Sequence, residues 1–179
     1  TEEKGRIAQA ALELLPGADS TILIDAGTTT ARFAELLPHD HRLTVLTHAV
    51  PVAARLAELP NVELHLLPGR VRRNTQAAVG VDTVAALAKV RADIAFMGTN
   101  GISVEHGLST PDHAEAATKA AMVASARRIV VLADSTKVGQ ERTVRFAALA
   151  DIDVLVTDHG IAPEAVAQIE DAGVEVVLA

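Results

Sequence analysis

The chain has 179 residues, enough to bury one sizeable core, and 49% of it is apolar. Its net charge is −7, with no cysteine, tryptophan or tyrosine and only three phenylalanines. These counts exclude disulfides and thiolate metal sites, and they argue against a free-standing nucleic-acid binder, which needs a basic face or stacking aromatics. No apolar run approaches the ~20 residues that span a bilayer, and the polar first residues do not read as a signal peptide, so the expected compartment is the cytoplasm.

Ile7, Ala10, Ala11, Leu14 and Leu15 recur at helical spacing, which predicts a helix over 1–15, ended by Pro16-Gly17. A strand at 21–26, a helix at 29–37, a strand at 43–47, a helix at 51–58 and a strand at 62–67 follow. A helix at 82–90, a strand at 93–98, a helix at 113–125 and a strand at 129–133 come next. The series ends with a strand at 154–157, a helix at 163–172 and a strand at 174–178. Most of these strands are continuous apolar runs rather than alternating ones, as expected where both faces of a sheet are covered. The alternation predicts an α/β fold, with a mostly parallel sheet and helices on both faces. No internal repeat or linker breaks the chain, so 1–179 is read as a single unit. Its abrupt start on a helix suggests a piece of something longer.

In open α/β sheets ligands bind beyond the carboxyl ends of the strands. Asp25-Ala26-Gly27-Thr28-Thr29-Thr30 follows the first strand. Gly27 permits close backbone approach, and the three hydroxyls with the free N–H groups of a first helical turn suit a phosphate. A plain N-cap explains a threonine there as well. Thr47 and His48 follow the second strand, and Gly69 and Arg70 the third. Arg70, Arg72 and Arg73 read as a flap over an anion or as a solvated loop, with the solvated loop preferred for Arg72 and Arg73. Gly98-Thr99-Asn100-Gly101 follows the fourth strand and Asp134-Ser135-Thr136-Lys137 the fifth, where Lys137 supplies a point cation or merely leaves the strand in an ordinary turn. Asp112, Glu115 and Lys119 form a capping box and an i,i+4 pair, or face sugar hydroxyls at the crevice mouth. His48 and His106 fall near the crevice, and none of the seven histidines has a zincin spacing, so no metal or cofactor is expected.

Seven stretches in register, IDAGTTT, LTVLTHAV, LPGRVRRNT, ADIAFMGTNGIS, HGLSTPD, EAATKAAM and VVLADSTKVG, resemble the carboxyl-terminal effector domain of DeoR-type transcriptional repressors. The FMGTNGIS, HGLSTPD and ADSTKVG stretches, with RTVRFAAL, look most like fructose-operon repressors of actinobacteria. The resemblance implies the fold of ribose-5-phosphate isomerase and the sugar-phosphate deaminases. It implies a phosphorylated sugar as ligand, a fructose phosphate first among them, and a homo-oligomer. It also implies a leading winged helix-turn-helix domain, through which alone operator DNA would be bound. Carried across, the ligand loop is Asp25, Gly27, Thr28, Thr29 and Thr30; the sugar side is Gly98, Thr99, Asn100, Gly101, Asp112 and Glu115; the cations are Lys137 and Lys119. Pro68-Gly69 departs from the family's usual two glycines, and Thr136 stands where serine is commoner.

The alternatives are an isomerase and a ligand-free oligomerisation module. Isomerisation needs a base beside a carbonyl. The loop after the fourth strand offers no Asp or Glu before Glu105, which leaves Glu115 as the one candidate base.

Overall fold

The computed structural model describes residues 1–179. Helix α1 (Glu2–Ala11) is capped by Thr1 and passes through a short 3-10 turn into β1 (Ser20–Ile24). Then come α2 (Thr28–Glu35), β2 (Leu43–Thr47), α3 (Val50–Leu56) and β3 (Val62–Leu66). A hairpin of β4 (Arg70–Arg72) and β5 (Ala77–Val79) precedes α4 (Val81–Leu87) and β6 (Ala92–Met97). Strands β7 (Gly101–Ser103) and β8 (Gly107–Thr110) lead to α5 (His113–Ala124) and β9 (Ala126–Leu132). The chain closes with β10 (Val144–Ala147), β11 (Val154–Thr157), α6 (Pro163–Asp171) and β12 (Glu175–Leu178).

Seven strands form one parallel sheet in the order β12-β11-β9-β6-β1-β2-β3. Their apolar side chains alternate between two cores. Ile22, Ile24, Val45, Ile94 and Phe96 meet Ile7, Phe33 and Leu56 from α1, α2 and α3. Leu23, Ala95, Met97, Val131 and Leu155 meet Leu87, Met122 and Ile169 from α4, α5 and α6. Burial on both faces explains why the inner strands read as continuous apolar runs, whereas the edge strand β3, Val-Glu-Leu-His-Leu, alternates. Phe33 and Phe96 stack at 4.3 Å between ring centroids, and both are fully buried, each contributing about 1.5–3 kcal/mol.

The seven predicted strands are the seven strands of this sheet, and the six predicted helices are α1 to α6, with ends shifted by a few residues. Two antiparallel pieces add to it: the β4-β5 hairpin, and a small sheet in the order β10-β8-β7. The sheet is wound outward in both directions from β1 and β6, so the strand order reverses between them. That reversal opens a crevice at their carboxyl ends.

Candidate functional site

A cavity of about 600 Å³ fills this crevice. Gly27 to Ala31 from the start of α2 and Gly98 to Asn100 after β6 line it. Ala49 and Pro51 at the start of α3, Arg73 to Gln76 from the β4-β5 turn, and Asp134 and Lys137 after β9 complete most of the wall, with Lys4 from α1.

Gly27 has φ +141, a backbone open to glycine, and α2 begins there without a side-chain cap. The first-turn N–H groups therefore face the crevice unsatisfied by any side chain, with the positive end of the helix dipole behind them. Thr28 is exposed and Thr29 only slightly so, and both border the cavity. Thr30 is fully buried, and its hydroxyl donates to the Gly27 carbonyl at 3.1 Å. Gly98 passes so close to β1 that a Cβ would stand 3.3 Å from the Ala26 carbonyl.

Beneath the floor lies a buried ionic network. Asp25 has no exposed surface. Its carboxylate accepts from the N–H groups of Ala26 (2.9 Å) and Gly98 (3.0 Å) and from the Lys119 ammonium. His48 Nε2 lies 2.7 Å from the same carboxylate, and His48 Nδ1 lies 2.8 Å from the Ala78 carbonyl. Nε2 also lies 3.2 Å from the Ala26 N–H, so the ring links the carboxylate, the start of the Gly27 loop and β5. Lys119 also donates to the Gly98 carbonyl at 3.1 Å and stands 5.3 Å over the Phe146 ring.

Burial raises the Asp25 pKa, but the Lys119 ammonium and the hydrogen-bonded His48 ring outweigh it and hold the pKa at about 2, below the ordinary 3.8. A depressed carboxylate contributes stability that is whole above its unfolded pKa and is lost as the pH falls through its folded one. Asp25 should therefore contribute about 2 kcal/mol above pH ~4 and lose it toward pH ~2. Denaturant unfolding at pH 5 and pH 2.5 checks this, with Asp25→Asn as the control that should lack this part of the slope. Asp158 moves in the same direction: burial raises its pKa, and hydrogen bonds from Ser135 and Gly160 more than reverse that.

Four cations border the cavity, Lys4, Arg73, Lys119 and Lys137, against two carboxylates, Glu115 and Asp134. Lys119 is neutralised by Asp25, and Glu115 by Arg72. Asp134 accepts from the Thr136 N–H (3.0 Å) and hydroxyl. Lys4, Arg73 and Lys137 take part in no ion pair. A chain of net charge −7 thus concentrates unpaired positive charge in one crevice.

Several sequence expectations need correcting. Thr47 is buried, and its hydroxyl donates to the Ile24 carbonyl (2.7 Å) and accepts the Ala49 N–H (3.1 Å), tying β2 to β1 rather than facing the cavity. Asp25 and His48 lie under the floor, because the network draws them inward. Arg70 and Gly69 are at the base of the β4-β5 hairpin and off the wall, since the reversal at residues 73–76 carries the tip, not the base, to the crevice. Arg72 is half-buried, pairs with Glu115 and stands 3.7 Å from Asp112. Gly101 opens β7 and is packed against the Gln140 carbonyl, and Asp112 caps α5 by accepting the Glu115 N–H (2.9 Å). His106 lies near the Arg142 carbonyl, outside the cavity.

Sequence reasoning missed Lys4, Asn74 to Gln76 and Asp158, and it preferred a solvated loop for Arg73, which borders the cavity. Asp158 follows β11 and accepts the Ser135 N–H (2.7 Å), the Ser135 hydroxyl (2.8 Å) and the Gly160 N–H (2.9 Å), which fixes the loop that carries Lys137. No group of three His, Asp or Glu side chains is placed to hold a metal ion. No helix is long and apolar enough to cross a membrane.

The family described as the DeoR C terminal sensor domain matches residues 1–159. The HTH-type transcriptional regulator GlpR of Haloferax volcanii is 38% identical over 98% of the chain and 68% of its own length. The glycerol-3-phosphate regulon repressor of Escherichia coli K12 is 30% identical over 88% of the chain and 62% of its own. The chain thus spans about two thirds of the length of these relatives. Ribose 5-phosphate isomerase A of Methanocaldococcus jannaschii shares the fold, with a TM-score of 0.54 at 18% identity over 75% of this chain and 53% of the enzyme.

Proposed function

The chain belongs to the DeoR C-terminal sensor domain family, and on that premise we propose that its crevice binds a phosphorylated sugar without converting it. The observation that carries this reading is the meeting of an uncapped helix start, the Thr28 and Thr29 hydroxyls and the unpaired Lys137 on one cavity wall. A phosphate dianion there gains backbone donors, hydroxyl donors and a cation together. Gly98, Thr99, Asn100, Glu115 and Lys119 line the side left for sugar hydroxyls. Asp25, His48, Thr47, Asp112 and Gly101 support that wall from behind, and Gly69 and Arg70 have no part in it.

Three observations favour binding over turnover. Glu115 is locked to Arg72, Asp134 is spent on Thr136, and Asp25 is a weak base shielded by Lys119. The regulatory names of the relatives agree with this reading, while the isomerase shares the fold alone.

In a longer regulator, the effector would alter operator affinity through an attached winged helix-turn-helix domain in a homo-oligomer. A coupling of about 1–3 kcal/mol shifts that affinity about 5–150-fold. Fructose 1-phosphate is the first ligand to try, on the resemblance of the ADSTKVG and HGLSTPD stretches, with glycerol 3-phosphate beside it.

The test is a thermal-shift panel of sugar phosphates with NMR of each mixture. A ligand at 100 Kd should add about 2.7 kcal/mol, or roughly 5–11 °C in Tm at this chain length. Phosphorylated ligands should shift Tm and remain unchanged, and their dephosphorylated forms should leave Tm where it is. Conversion of a ligand would make the chain an enzyme, and a flat panel would leave an oligomerisation module.

A further inference from the structure

Helix α1 lies outside the strand-end loops that supply most of the cavity wall, yet Lys4 in its first turn borders the cavity together with Thr28, Thr29 and Lys137. Lysine is a poor choice at that place for the helix alone. The amino end of a helix is its positive end, which favours acids, as Glu2 and Glu3 illustrate, and disfavours a cation. No carboxylate compensates Lys4, since the nearby ion pair of this helix joins Arg6 to Glu2.

Its position on the helix is also informative. Ile7, Ala8 and Ala11, at i+3, i+4 and i+7 from Lys4, are all fully buried and pack in the core between α1 and the sheet. Lys4 therefore continues the inward stripe of α1, where it is half-buried, rather than the solvent face. Its neighbour Gly5 faces α2, where a Cβ would stand 2.9 Å from the guanidinium of Arg32. Contacts with β9 and β11 place α1 against the strand that leads into the Lys137 loop.

We infer that Lys4 is an effector-contacting residue, supplying a second ammonium to the phosphate held by α2 and Lys137, so that ligand binding fastens the first turn of α1 to the cavity. This rests on the sugar-phosphate reading of the same crevice. The anion neutralises a cation that the fold leaves unpaired, and it does so on an element separate from the loops. Lys4 bound to ligand then holds α1 and α2 together at their amino ends.

The experiment uses the 179-residue chain, with fructose 1-phosphate and glycerol 3-phosphate as probes. Calorimetric Kd values are compared for the parent, Lys4→Ala and Lys4→Arg, and hydrogen exchange of the first-turn amides of α1 is followed with and without probe. Alanine is a good helix former, so Lys4→Ala should fold, which an unchanged circular dichroism spectrum and Tm without ligand would verify. The expected result is about two- to fivefold weaker binding in Lys4→Ala, most of it recovered in Lys4→Arg. Ligand should slow exchange at Gly5 and Arg6 in the parent and not in Lys4→Ala. Parent-like affinity in Lys4→Ala, or no change in exchange in the parent on saturation, would overturn the inference while leaving the sugar-phosphate reading standing. Failure of the parent to bind either probe and every other sugar phosphate would remove both.

Discussion

Asp25→Asn should destabilise the chain by about 3–5 kcal/mol. The side chain keeps its size but loses its charge, and Lys119 is then buried beside a neutral amide. Lys119 is 5% exposed, too little for its ammonium to find water without local opening. Four donors converge on the carboxylate: the Ala26 and Gly98 N–H groups, the Lys119 ammonium and the His48 ring. An amide offers one acceptor oxygen and turns an NH₂ group toward some of these donors. At about 2–4 °C per kcal/mol for a chain of this length, Tm should fall by about 6–20 °C. Calorimetry with urea unfolding measures the change. A loss below about 1 kcal/mol would mean that the network contributes little. Lys119→Met in the same background should restore part of the loss, because it removes the orphaned charge and keeps an apolar stem.

Lys137→Ala should weaken binding of a phosphorylated ligand about 10–100-fold and leave Tm without ligand within about 1 °C. The two effects separate because Lys137 has no partner to lose in the free protein. A hydrogen bond to a charged group is typically worth about 1.5–3 kcal/mol, which sets the range. Thr29→Ala should cost less, about fivefold, since a neutral hydroxyl bond is worth about 1 kcal/mol. Titration calorimetry gives both numbers. The loss on Lys137→Ala should shrink as salt is raised, whereas the Thr29→Ala loss should hardly change. Equal affinity of Lys137→Ala and parent would remove the phosphate from this corner of the cavity.

The parallel sheet was legible because most of its strands are apolar runs between a turn and an amphipathic segment, as in residues 43–47 and 154–157. The antiparallel pieces carry no such signal. Strand β4 is Arg-Val-Arg and β7 is Gly-Ile-Ser, and each has only three residues. Such three-residue strands are too short to show a period, and the pairing of β8 with β10 joins segments some 35 residues apart. At the site, the strand-end rule found the start of α2 and the loops after β6 and β9. It could not say which polar side chains face the ligand and which turn under the floor. Asp25, Thr47 and His48 sit at strand ends as expected, but their partners are Lys119, the Ile24 carbonyl and the Ala78 carbonyl, which no spacing reveals. Asp158 was within reach of the same rule, one residue past the end of β11. Lys4 was within reach too, since its spacing to Ile7, Ala8 and Ala11 already puts a cation on the apolar stripe of the first helix.

The bond between Asp25 and Lys119 spans 94 positions of the chain. During synthesis at about 5–20 residues per second, the carboxylate leaves the ribosome about 5–20 seconds before its lysine. Throughout that interval β1 carries a charge with no ammonium to match it, and the first three helices and strands must collapse around an unfinished centre. A nascent chain halted short of α5 should therefore remain protease-sensitive near residues 20–50, and acquire resistance only after Lys119 has emerged.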